Sequence, residues 1–90
     1  MRTGPKVLKF YSKTCPPCKA LSPITKEIAE ENPEVNFIGV DIDVDRDSVQ
    51  KYGIKGVPTL VFLRNDQEVD RLVGLRSKAE IQELVFLLLE

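Results

Sequence analysis

The sequence predicts a single α/β domain, residues 1–90, with a mixed four-stranded sheet flanked by three helices. Three observations support this prediction. Segments with the hydrophobic spacing of strands and of helices follow one another in the order β-α-β-α-β-β-α. The dipeptide Asn65-Asp66 is a turn signal between the last two strands, which predicts a hairpin. A chain of 90 residues, 42% of them apolar, has the usual size of one domain and can form its own core.

The first half of the chain has the pattern of a strand, a helix and a second strand. Residues 6–12 form a short apolar and aromatic run that favours a strand. From Cys18 to about Asn32, apolar residues recur every three or four positions, as on the buried face of a helix. Pro23 lies inside this helix and should kink it. Residues 35–42 are predicted as the second strand.

The second half of the chain predicts a helix, a β-hairpin and a last helix. Residues 46–52 have the pattern of a short helix, with Gly53 as its C-cap. Residues 59–63 are continuously apolar, which is typical of a buried strand, and residues 68–73 return as its partner. The last helix begins at Ser77, with a glutamate three residues later as in a capping box. Its predicted core stripe consists of Ile81, Leu84, Val85 and Leu88. The two β-α-β connections predict parallel strands, and the hairpin adds antiparallel pairing.

The composition excludes several classes of function. Thirteen basic and fourteen acidic residues give a net charge of −1, so we expect no nucleic-acid partner. No apolar run approaches the roughly 18 residues of a membrane-spanning helix. The first six residues lack the apolar core of a signal peptide, which predicts a cytoplasmic protein. Because the chain has no histidine, catalytic triads and metal sites that need histidine are excluded.

The strongest chemical signal is the pair Cys15 and Cys18, separated by two prolines. The pair lies where the first strand meets the first helix, so Cys15 is at a helix N-terminus, which favours a thiolate. Pro17 suits the first helical turn, which needs no N–H group. Two other interpretations stay open: half of a zinc site, which would need ligands from a second chain, and a purely structural disulfide. We predict a redox pair instead of a structural bridge, because a bridge over two residues adds little stability. We expect no metal, since zinc needs about four ligands and the chain has no further Cys or His, and no bound cofactor.

At these residues the chain resembles the thioredoxin family. Residues 15–23, from Cys15 to Pro23, are similar to the family's active-site helix. Residues 51–59, which contain Val57-Pro58, are similar to the segment around its cis-proline. Gly74 follows 16 residues after Pro58, where the family has a glycine facing the active site. The resemblance implies a thioredoxin fold without the family's first strand and helix.

The resemblance also implies a role for each matching residue. Cys15 would be an exposed nucleophile that attacks a protein disulfide, and the more buried Cys18 would resolve the mixed disulfide. Pro58 would follow a cis bond, and the Val57 backbone would pair with a substrate strand. The apolar docking surface would consist of Ile42, Gly56, Val73 and Gly74. The implied partners are disulfide-containing proteins and an external reductase or a small thiol. We expect the chain to be a monomer.

The chain departs from the family beneath the cysteines. Lys9 stands where the family has a buried aspartate, and Gly39 stands where it has the partner lysine. Two interpretations of Lys9 remain: its stem packs while its ammonium reaches solvent, or its charge favours a cysteine thiolate.

Two alternative functions stay open. Residues 10–15 resemble a glutaredoxin, which would make the chain a glutathione-dependent reductase, although the paired glycine and acidic residues of that family are missing. The chain could instead be a non-catalytic binding module on the same fold.

Two further patterns have structural interpretations. Asp41, Asp43, Asp45 and Asp47 alternate, but a calcium loop starting at Asp41 needs glycine at position six and glutamate at position twelve, where Arg46 and Tyr52 stand. We therefore expect a solvated strand end and helix start. The C-terminal residues Phe86, Leu87 and Leu89 predict extra cover for the core, with a partner surface as the alternative.

Overall fold

The computed structural model describes residues 4–90. Seven elements follow in the predicted order β-α-β-α-β-β-α. They are β1 (Lys6–Tyr11), α1 (Pro16–Glu31), β2 (Asn36–Asp41), α2 (Arg46–Tyr52), β3 (Thr59–Arg64), β4 (Gln67–Val73) and α3 (Lys78–Leu89). No helix of residues 4–90 has the length and apolar character required to cross a membrane.

The four strands form one mixed sheet in the order β2-β1-β3-β4. β1 is parallel to β2 and antiparallel to β3, and β3 is antiparallel to β4. The prediction that both β-α-β connections give parallel strands was wrong for the second one. The short α2 and its flanking loops begin and end at one end of the sheet instead of crossing to the other, so β3 runs opposite to β1 and β2. β3 therefore starts at the end of the sheet where β2 stops.

Side chains alternate between two cores on the two faces of the sheet. Val7, Leu60 and Phe62 lie in the core beneath α1 and α3. Leu8, Phe10 and Val61 lie in the second core, on the side of α2. Because β3 supplies buried residues to both faces, its continuous apolar run is explained.

Local sequence signals set the ends of α2 and the hairpin turn. Asp45 is the N-cap of α2, and its carboxylate accepts a hydrogen bond from the Ser48 backbone N–H at 3.0 Å. Gly53 caps the other end with φ +61°, a conformation that favours glycine. Asn65 and Asp66 both have positive φ, as a two-residue hairpin turn requires. The predicted helix end, helix start and turn are thus confirmed.

The C-terminal helix buries only one of its faces. Ile81, Val85 and Leu88 are buried, and Leu84 packs against the same core. Phe86, Leu87 and Leu89 are 56%, 46% and 39% exposed, so the prediction that they cover the core was wrong. Phe86 and Leu87 follow the buried Val85 by about 100° and 200° around the helix, which turns them away from the core, and Leu89 is the last residue of α3.

We predict that Ser77→Ala lowers the free energy of unfolding by about 1 kcal/mol, the usual cost of losing an N-cap side chain. The Ser77 hydroxyl accepts a hydrogen bond from the Glu80 N–H at 3.2 Å, and the Glu80 carboxylate accepts one from the Ser77 N–H at 3.4 Å. The measurement is urea unfolding. Glu80→Gln is the matched control, because glutamine can still accept the second bond. Equal stability of Ser77→Ala and the parent protein would contradict this account of the helix start.

Candidate active site

The cysteine pair opens α1. β1 ends at Tyr11, and two prolines occupy the first two helical positions, where the missing N–H groups cost nothing. Cys15 is the N-cap, with extended backbone angles of φ −105° and ψ 104°. Its sulfur accepts a hydrogen bond from the Cys18 backbone N–H at 3.2 Å. The two cysteines are joined by a disulfide, with their Cα atoms 5.2 Å apart.

Both cysteines are buried in this disulfide form. Cys15 is 7% exposed and Cys18 is 5% exposed, so the expectation of an exposed Cys15 was wrong. The reason is local, since the Cys15 sulfur turns inward onto the first turn of the helix, where it meets both the Cys18 N–H and the Cys18 sulfur.

The segment before β3 lies at the same end of the sheet as the cysteines. Thr59, the first residue of β3, is in register with Phe10 near the end of β1, and α1 starts five residues beyond β1. Pro58 is buried, and the Val57–Pro58 peptide bond is cis. The Thr59 hydroxyl donates a hydrogen bond to the Gly56 carbonyl at 2.8 Å and so fixes the preceding turn.

Val73 and Gly74 join this segment through the β3–β4 pairing. Val73 is in register with Thr59, and the Gly74 N–H donates to the Pro58 carbonyl at 2.8 Å. Gly74 has φ +88°, which a side chain would strain. Val73 is 53% exposed and Leu75, which we did not predict as a site residue, is 51% exposed. An apolar residue directly after Gly74 is the signal that could have identified Leu75.

Ile42 and Val57 have a different position from the other predicted docking residues. Both are partly buried and pack against the core on the side of α2. The Ile42 N–H donates to the Tyr11 carbonyl at 3.0 Å, which holds Ile42 at the cysteine end of the sheet. The structure therefore joins Gly56, Pro58, Val73 and Gly74 by direct contacts or strand register, and places Ile42 and Val57 in the adjoining core.

Lys9 is a half-buried cation in the middle of the sheet. It is in register with Gly39 on β2 and with Leu60 on β3. Its Nζ donates to the Ser22 hydroxyl at 3.4 Å and lies 6.0 Å from the centre of the Tyr11 ring. Burial lowers the pKa of Lys9 from its ordinary value.

Lys9 also faces the cysteine helix. Lys9, Cys18 and Ser22 line one small cleft. Ser22 was missed from the sequence, although it follows Cys18 by four residues and therefore lies on the same face of α1.

This arrangement suits dithiol–disulfide exchange. Two sulfurs close enough to bond lie at a helix N-terminus, where a thiolate is favoured. Within residues 4–90, no group of three or more His, Cys, Asp or Glu side chains is placed to hold a metal ion.

Comparison with known proteins gives a consistent result. The Thioredoxin family model matches residues 2–86. Thioredoxin from Chlamydia trachomatis is 34% identical over 83 residues, which is 92% of this chain and 81% of that protein. Mitochondrial thioredoxin-2 from Schizosaccharomyces pombe is 42% identical over 72 residues, which is 80% of this chain and 54% of that protein.

Solved structures are similar over nearly the whole chain. A mutant thioredoxin from Halobacterium salinarum superposes with a TM-score of 0.91 at 28% identity, over 98% of this chain and 77% of that chain. Thioredoxin from Fasciola hepatica superposes with a TM-score of 0.87 at 32% identity, over 94% of this chain and 81% of that chain. With the fold, the cysteine pair and these matches in agreement, the chain belongs to the thioredoxin family of thiol-disulfide oxidoreductases.

Proposed function

We propose that this chain reduces disulfides in other proteins by cycling its Cys-Pro-Pro-Cys pair between dithiol and disulfide. The observation that carries the proposal is the position of the two cysteines, bonded to each other across the first turn of α1. Because the Cα atoms of Cys15 and Cys18 lie 5.2 Å apart across the first turn of α1, their disulfide bond can form without movement of other elements.

In the proposed reaction, the Cys15 thiolate attacks one sulfur of the substrate disulfide. That bond breaks, the second substrate sulfur leaves as a thiolate and takes up a proton, and a mixed disulfide forms. The Cys18 thiolate then attacks the Cys15 sulfur and releases the second substrate thiol. The substrate gains two electrons and two protons, and the chain is left with the Cys15–Cys18 disulfide.

The order of attack follows from the backbone. As the N-cap, Cys15 lies at the positive end of the α1 dipole, and its contact with the Cys18 N–H at 3.2 Å would stabilise a negative charge on its sulfur. Cys18 is a residue of the first helical turn and has no equivalent donor among the hydrogen bonds of residues 4–90.

The proposed docking surface lies beside the pair. A substrate strand would pair with the backbone at Val57 and pack on the exposed Val73 and Leu75, with Gly56, Gly74 and Ile42 as further contacts. Gly74 leaves room for that strand because it has no side chain. We infer a cytoplasmic monomer with one domain, in which an external reductase or a small thiol restores the dithiol.

Lys9 is proposed to favour thiolate formation. Its ammonium lines the cleft beside Cys18, is held by Ser22, and makes no ion pair with a carboxylate of residues 4–90. A nearby cation stabilises a thiolate.

We predict that Cys18→Ser accumulates a covalent mixed disulfide with a protein substrate, whereas Cys15→Ser does not. The serine cannot resolve the bond that Cys15 has formed. Non-reducing electrophoresis and mass spectrometry of the trapped species measure the result. Trapping through Cys18 in the Cys15→Ser variant would reverse the assigned roles.

We predict that insulin disulfides are reduced with NADPH and a thioredoxin reductase as the electron supply, and much more slowly with NADPH, glutathione and glutathione reductase. Turbidity of the released insulin B chain is the readout. The double Cys15→Ser, Cys18→Ser variant is the control and should be inactive. Faster reduction in the glutathione arm would favour the glutaredoxin-like alternative, and loss of reduction in both arms would favour the binding module.

We predict that Lys9→Met raises the midpoint of thiolate formation, followed at 240 nm in the reduced protein, by about half a pH unit or more. A charge about 6 Å away at an effective dielectric near 20 is worth at most about two pKa units before screening. Methionine keeps the stem and removes the charge. Lys51→Met on α2 is the matched control, and an unchanged midpoint in Lys9→Met with intact folding would leave Lys9 a packing residue.

A further inference from the structure

A small cleft opens beside Cys18, between the end of β1 and the start of α1. It has a volume of about 170 Å³, and three lysines contribute to its lining. The floor is Lys9, held by the Ser22 hydroxyl, and the outer wall carries the exposed side chains of Lys13 and Lys19. One wall is Cys18 itself.

The positive charge of this cleft is not neutralised within the described part of the chain. No carboxylate lines the cleft, and none of its three lysines forms an ion pair among residues 4–90. The chain carries a net charge of −1, so this cluster does not reflect a general excess of basic residues.

The N-terminal end of α1 adds to the positive electrostatic potential of the cleft. The first turn of α1 has no acidic residue, whereas the first turns of α2 and α3 contain Asp47 and Glu80. The positive end of the α1 dipole therefore has no carboxylate from its own first turn beside it. The nearest acidic residue on the neighbouring strand is Asp41, in register with Tyr11, and its carboxylate accepts the Asp43 N–H at 2.9 Å instead of entering the cleft.

We propose that this cleft binds a carboxylate of the substrate, namely an Asp or Glu side chain adjacent to the reactive cysteine of a protein disulfide. The inference rests on the proposed function and names its substrate class. A volume of about 170 Å³ beside Cys18 has the scale of a single side chain. The exposed Val73 and Leu75 offer apolar contacts to a longer peptide, contacts that a small free acid leaves unused.

The test compares three peptide disulfides that differ only in the residue next to the cysteine, which is Glu, Gln or Lys. The reduced protein is mixed with each peptide in a stopped-flow instrument without added reductant. The readout is the ratio of rate constants for the Glu and Gln peptides, because a change in thiolate reactivity affects both equally. At low ionic strength we expect a ratio of about five, since one unit-charge contact at ~4 Å in water has that effect.

Added salt and charge-removing substitutions test whether this ratio is electrostatic in origin. The ratio should fall toward one at about 0.5 M salt, and the Lys peptide should react more slowly than the Gln peptide. Lys13→Gln and Lys19→Gln, singly and together, should lower the ratio. Lys51→Gln on α2 removes the same charge from an exposed site elsewhere and should leave the ratio unchanged.

The outcomes separate this inference from the proposed function. Equal rates for the Glu and Gln peptides would overturn the carboxylate site while leaving disulfide reduction intact. Preference for the small diacid 3,3′-dithiodipropionate over 2,2′-dithiodiethanol, without any preference among the peptides, would also overturn the assignment to a protein substrate. If none of the three peptides is reduced, both the proposed function and this inference are overturned.

Discussion

The start of α1 is the constraint on which the active site depends. Two prolines in its first turn fit only at the beginning of a helix, so the chain has to leave β1, turn and begin α1 at Pro16. That start makes Cys15 the N-cap and brings the Cys18 sulfur and backbone N–H back onto the Cys15 sulfur. The same four residues thus provide the bond that forms in oxidation and the positive helix end that favours a thiolate in reduction.

The sheet brings the remaining site residues to that helix end. β3 is the central strand for both cores, and its antiparallel register with β1 places Pro58 next to the end of β1. The pairing of β3 with β4 then brings Val73 and Gly74 to the same end of the sheet. There the Gly74 N–H donates a hydrogen bond to the Pro58 carbonyl. A site drawn from three separated segments is therefore held together by strand pairing, while the exposed Val73 and Leu75 remain available for contact.

Much of the fold could be predicted from local sequence signals, whereas features that depend on the three-dimensional arrangement of segments and side chains could not. Gly53, Asn65 and Ser77 carry signals that act within a few residues, and the structure confirms the ends and turns that they predict. The direction of β3 depends instead on where the connection through α2 returns to the sheet, and the burial of Cys15 depends on how its side chain is rotated. Leu75 and Ser22 were missed because their importance comes from neighbours brought close by folding. The cysteine pair and the Pro58 segment were predicted by resemblance, since periodicity says nothing about chemistry.

The central claim is that one chain transfers two electrons with its own cysteine pair. It is tested most directly by a single turnover of the fully reduced protein, freed of reductant, against an excess of a protein disulfide, followed by thiol counting and peptide mapping. The account predicts one substrate disulfide reduced per chain, with the protein recovered as a monomer that contains a Cys15–Cys18 bond. Recovery of disulfide-linked dimers or of stable mixed disulfides, in which Cys15 and Cys18 are not bonded to each other, would contradict it.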